Sequence, residues 1–178
     1  MKKILTPLAL AAMTFAVAPH VVLAEEVVPI KGSFAVTYAG TPNTGNVAYC
    51  GGTPLPVAVE AHGDGYSTLG PLGFSLRKTL GAGLFHGCLT LTAPNGDTLT
   101  ATYDATGGAP NANNFSSASG TLTFTGGTGR FSGASGSAHF TAVFANFYPL
   151  SSFVGGTPAP LQGMAFYLVE GTVSVHED

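Results

Sequence analysis

The sequence predicts an all-β protein, a small antiparallel eight-stranded β-barrel, with a β-sandwich as the alternative. Three observations lead there. Apolar and polar residues alternate with period two in about eight short segments, the pattern of strands with one buried face. Turn-forming Gly, Pro and Asn clusters separate these segments, and no stretch sustains the 3.6-residue period of a helix. Only 8% of residues are charged, against about 25% in ordinary soluble domains. A chain with so few charges has little to guard an exposed sheet edge, and closing the sheet removes the edges.

Residues 1–24 read as a cleaved signal peptide: Lys2 and Lys3, then a short apolar run, then Val22-Leu23-Ala24 before Glu25 and Glu26. Residues 25–178 then form a single domain, large enough for its own core. The placement expected is exported, periplasmic or secreted, and not membrane-embedded, since the strands are short and show no aromatic girdles.

Within the domain, residues 25–30 form a lead-in containing Pro29, and 33–39 a first strand with Phe34, Val36 and Tyr38 on one parity. A loop, a brief segment over 46–50 and a turn at Gly51-Gly52 precede a strand over 56–62 carrying Val57, Val59 and Ala61. His62-Gly-Asp-Gly-Tyr66 reads as a tight turn. The next strand, 73–80, carries Phe74 and Leu76 before Arg77 and Lys78. Residues 84–93 and 98–104 flank Pro94-Asn95-Gly96-Asp97, and Asn-Gly between alternating runs signals a hairpin. Leu89 and Leu91 would face Leu99 and Ala101. Residues 106–119 form a loop pinned by Phe115. A glycine-rich hairpin follows, with Leu122 and Phe124 on one arm and Ala138, Phe140, Ala142 and Phe144 on the other. After a long loop holding Phe147, Tyr148 and Phe153, the strand 163–175 is apolar on both parities: Met164, Phe166 and Leu168 against Ala165, Tyr167 and Val169. That pattern fits a strand covered on both sides, at a subunit contact or beneath a loop.

The chain carries 6 basic and 9 acidic residues, for a net charge of −3, and loss of Lys2 and Lys3 with the leader makes it more acidic. It has no basic stripe, so nucleic acid is not an expected partner. Cys50 and Cys88 are the only cysteines, and in an exported chain an even pair reads as a disulfide.

The run LTFTGGTGRFSGASG, residues 122–136, resembles the allene oxide cyclase and dirigent protein group, in which a strand leads into Gly-Gly-Thr-Gly-[Lys/Arg]-Phe, a small-residue segment and another strand. The match is tight over residues 119–145. The resemblance implies a calycin-like, allene oxide cyclase-like barrel, commonly trimeric, with a cavity for an apolar small molecule. Where plant dirigent proteins typically carry a cavity-lining arginine, this chain has Ser135. The group's acidic catalytic residues do not align with Glu60, Asp64 or Asp104.

Candidate chemistry is sparse. Glu60 and His62 share a strand face, with Asp64 in the expected turn, and could act as an acid/base group. The same residues suit a solvated strand end. Tyr66, Tyr103 and Arg130 could contact a ligand, with Arg130 equally able to pair with a carboxylate or carbonyl at the barrel rim. His86 and His139 read as solvent-facing or hydrogen-bonded, and His176 as tail. A metal site at Glu60 and His62 would need a third ligand, for which His86 and His139 are the candidates, and no motif calls for a cofactor. The reading is a non-enzymatic binding or structural barrel with a cavity for an apolar small molecule. The alternative is a cyclase- or dirigent-type enzyme or stereo-directing protein acting on such a molecule. A homo-oligomer is expected, a trimer by analogy with the group.

Overall fold

The computed structural model describes residues 25–147 and 161–176, so the leader expected over 1–24, together with Tyr148 and Phe153, lies outside the described residues. Eight strands follow in chain order: β1 (Glu25–Pro42), β2 (Val57–Ser67), β3 (Gly70–Gly81), β4 (Leu84–Thr92), β5 (Thr98–Gly107), β6 (Phe115–Gly127), β7 (Gly136–Asn146) and β8 (Leu161–His176). Each pairs antiparallel with the next, and β8 returns to β1, closing the barrel. Closure rules out the sandwich. The described helical content is a single 3-10 turn, Gly129–Phe131.

Alternation sorts the side chains as the sequence predicts. Phe34, Val36 and Tyr38 of β1, Leu89 and Leu91 of β4, and Ala165, Tyr167 and Val169 of β8 point into the lumen and are buried. Leu89 lies opposite Ala101 and Leu91 opposite Leu99, the expected register of the Asn-Gly hairpin. Aromatic rings fill the middle of the lumen. Phe34 and Phe74 lie 5.4 Å apart, Phe74 and Tyr167 5.1 Å, and Tyr103 and Phe140 4.6 Å, within the favourable range for ring pairs. At the end where β6 meets β7, fully buried Phe131 of the 3-10 turn plugs the barrel.

Four expectations need correction. Residues 25–30 are no lead-in: β1 begins at Glu25 and pairs with β8 from there. Its ladder with β2 starts only at Gly32, so no β2 carbonyl awaits an N–H from Pro29, whose own carbonyl accepts from the Thr68 hydroxyl at 2.7 Å. Residues 62–66 are not a turn, and β2 runs through them to Ser67. A Cβ at Gly63 would overlap the Ala35 carbonyl and crowd the Val36 backbone, so this glycine permits close strand approach rather than reversal. Phe115 does not pin a buried loop: it opens β6 and is half exposed. His176 ends β8 opposite Glu25 instead of lying in a tail.

The Cys50–Cys88 disulfide is present, with a Cα–Cα separation of 5.6 Å. It fastens the β1–β2 connection over the outside of β3 and β4. Beneath that strap Thr79 is fully buried, although it faces outward, and its hydroxyl donates to the Thr53 carbonyl at 3.3 Å.

Candidate functional site

The structure scatters the residues the sequence singled out. Glu60, His62 and Asp64 do share one face of β2, but it is the outer one, and all three are exposed. Glu60 pairs with Arg77 at 3.2 Å in solvent, an interaction of small energetic weight. Tyr66 also faces outward and is 74% exposed. Arg130 lies at the plugged end, where its Nη2 donates to the Leu69 carbonyl at 2.8 Å and its guanidinium stacks 4.6 Å over Phe131. That is the rim carbonyl pairing foreseen for it. Tyr103 is inside, fully buried, and its hydroxyl has no hydrogen-bond partner among the described residues. His86 sits on the outer face with its Nδ1 against Asp104, and its ring lies over Gly52 of the disulfide-held strap. Among the described residues no group of three or more His, Cys, Asp or Glu could hold a metal ion.

The residue that sequence reasoning missed is Lys78. On β3 the inward parity runs Leu72, Phe74, Leu76 and then Lys78, so the lysine rather than Arg77 enters the lumen. It is 2% exposed. The other three basic residues of the described chain have oxygen partners: Lys31 with Glu170 at 2.6 Å, Arg77 with Glu60, and Arg130 with a carbonyl. Among the described residues Lys78 has none. Its Nζ faces three aromatic rings instead, 4.7 Å from the centre of Phe144, 4.8 Å from Phe85 and 5.2 Å from Tyr103. Ring faces attract a cation, but less than water solvates it in a site this dry. Burial therefore pulls the ammonium down to about 7 from 10.5, making the neutral amine a major form at neutral pH. The signal was available in the sequence as a parity count from Phe74 and Leu76.

Above Lys78 the lumen opens into a cavity of about 310 Å³ at the end opposite the plug. An engineered apolar cavity of about 150 Å³ already holds benzene. Val59, Leu80, Phe85, Phe144 and Leu161 supply apolar walls, and Ala82, Gly83 and 107–110 form part of the mouth. The polar groups are few: the Lys78 amine, Ser116, Tyr38 and Asn146. The Tyr38 hydroxyl donates to Asn146 Oδ1 at 2.6 Å, and Asn146 Nδ2 donates to the Asn114 carbonyl at 2.7 Å, so this pair is already satisfied. Burial holds the Tyr38 hydroxyl protonated, pushing its pKa up to about 12. An apolar pocket with a few convergent polar groups and a perturbed titratable residue has the character of a ligand site.

No family model matches the chain, and no curated protein matches it. Among solved structures, one that is similar is a pterocarpan synthase dirigent protein, at 14% sequence identity and a TM-score of 0.45, covering 86% of this chain and 87% of that one.

Proposed function

We propose that this protein is an exported barrel that binds an apolar small molecule in the cavity at its open end, with the molecule's polar head beside Lys78. The observation that carries the reading is the pairing of a mostly apolar cavity with one buried amine at its floor. An apolar body displaces poorly held water from the walls, while Lys78 Nζ offers the single strong polar contact at depth. Export is supported by the leader-like residues 1–24 and suits the disulfide. The neutral dye N-phenyl-1-naphthylamine should bind with a one-to-one saturable fluorescence increase. Leu80→Trp, which places bulk at the cavity wall, should abolish it while leaving the far-ultraviolet circular dichroism unchanged. Equal dye binding by the variant would overturn the reading.

A second reading, an enzyme of the cyclase or dirigent type, is favoured by one observation. Lys78 is an inward-facing basic group whose proton affinity is shifted towards neutrality, as a general base or nucleophile requires.

Self-association belongs to the same proposal. Met164, Phe166 and Leu168, on the outer face of β8, are about half exposed, and Val143 of β7 lies opposite Phe166. This row offers a second copy of the chain an apolar strip with no charge in it. The number three rests only on the resemblance of residues 119–145.

A further inference from the structure

We propose that Lys78 captures an apolar aldehyde as an imine in the open-end cavity, so that the barrel holds its carbonyl ligand covalently and reversibly. This rests on the reading of the cavity as an apolar-ligand site and assigns the ligand's head group.

The geometry narrows the head group by elimination. A carboxylate head would need a stable positive charge at Nζ and further donors for its remaining lone pairs. Here Nζ faces the rings of Phe144, Phe85 and Tyr103, and of these only the Tyr103 hydroxyl has a proton to donate, too few donors for a carboxylate. An alcohol head would find one partner and leave the amine otherwise unchanged. A carbonyl carbon is the electrophile that a desolvated amine attacks, and burial in an apolar pocket is one of the established ways of keeping a lysine neutral for that purpose. Tyr38 and Asn146 of the wall bond each other, so among the described residues the polar atoms left without a partner at depth are Nζ and the Tyr103 hydroxyl, and Nζ is the nucleophile of the two.

The step balances without any further reactant. The Nζ lone pair adds to the carbonyl carbon as the carbon–oxygen π pair moves to oxygen, and one amine proton passes to that oxygen to give a carbinolamine. The second amine proton leaves with the hydroxyl group as water, and the nitrogen–carbon double bond forms. No electron is gained or lost overall, so no oxidant or reductant is needed. The dry aromatic floor disfavours return of water to the imine, while bulk water at the mouth allows slow release.

The chain supplies its own control. Besides Lys2 and Lys3 of the leader-like segment, Lys31 is its one other lysine, and it is exposed and paired with Glu170. Protein is incubated at pH 7 with decanal, decanol or decanoate, then treated with sodium cyanoborohydride, and adducts are located by peptide mass mapping. In parallel, displacement of N-phenyl-1-naphthylamine by each compound is followed. The expected result is displacement by decanal and decanol, with a reduced decyl adduct on Lys78 at least about ten-fold ahead of Lys31, because the cavity binds the aldehyde beside Nζ and burial leaves much of Lys78 as free amine. Lys78→Met should keep decanol displacement and lose the adduct at that position. Displacement by decanol with no preference for Lys78 over Lys31 overturns the imine and leaves the binding site standing. Failure of all three compounds to displace the dye overturns both. The comparison within the unmutated protein decides the matter even if the variant does not fold.

Discussion

Lys78 Nζ lies 4.7 Å from the centre of the Phe144 ring, across the lumen from β3 to β7, and among the described residues no carboxylate pairs with it. An ammonium in that position has lost its water and received only ring faces in return. Its protonation and the stability of the barrel are therefore linked.

Unfolded, this lysine keeps its proton to about 10.5; folded, it gives it up near 7. Between those values the unfolded chain binds the additional proton, so stability rises with pH across the window and the penalty is fully present below it. The slope should approach about 1.4 kcal/mol per pH unit. Three lumen tyrosines pack near it: Tyr38, Tyr103 and Tyr167, all held protonated by burial, and they lower stability only above pH 10. Urea unfolding midpoints should climb from pH 7 to 9.5, and Lys78→Met should flatten the climb and be the more stable form at pH 6. A flat profile in the unmutated protein would contradict a buried amine.

Cys50 and Cys88 enclose a loop of 38 residues, and the strap they hold covers the outer face of β3 and β4. Replacing both by Ser should lower stability by roughly 3–4 kcal/mol in the chain-entropy description. Thiol titration of the unreduced, unfolded protein should find no free sulfhydryl.

Gly163 follows Leu161 on the inward parity of β8, and a Cβ there would overlap both the Ala145 carbonyl and the Tyr38 hydroxyl. Gly163→Ala should cost about 1–3 kcal/mol, as overpacking does, and disturb the Tyr38–Asn146 bond. The Tyr38 phenol should then ionise at lower pH, seen as an ultraviolet absorbance change below pH 12. Gly96, whose added Cβ would meet nothing, offers the contrasting case in space, though its φ of 91° still favours glycine.

Phe166 stands 49% exposed at the centre of the outer apolar row. If that row joins copies of the chain, Phe166→Glu should reduce the mass measured by light scattering at micromolar concentration to that of one chain. A single-chain mass for the unmutated protein would instead leave the row as bare surface, and a dimer would discard the trimer while keeping the interface.

Much of the fold was legible because alternation and turn chemistry act locally. Phe34, Val36 and Tyr38 share a parity, and so do Leu89 and Leu91, wherever the rest of the chain goes. The misread places are those where a distant strand decides the meaning of a residue. Gly63 looks like a turn until β1 is laid against it. Pro29 looks like part of a lead-in until β8 is laid against it. Glu60 and His62 read as sharing one face, but Asp64, which reads as part of a turn, joins that face only because β2 runs on to Ser67. Nothing local states whether that face is lumen or solvent. Lys78 is hard to read locally because a charged side chain ordinarily marks an exposed position, whereas the parity of Leu76 carries it inward.

The seam between β1 and β8 runs from Glu25 opposite His176 to Gly40 opposite Leu161. The barrel is thus a loop in connectivity as well as in shape, since every strand follows its spatial neighbour and the last meets the first. The position of the chain break is then arbitrary with respect to the packing. Linking His176 to Glu25 through a few flexible residues and reopening the chain at the exposed Asn95-Gly96 turn would yield a circular permutant with the same lumen, the same disulfide and the same buried lysine. In that permutant β4 and β5 would bear the new ends, and the present seam would become an ordinary hairpin.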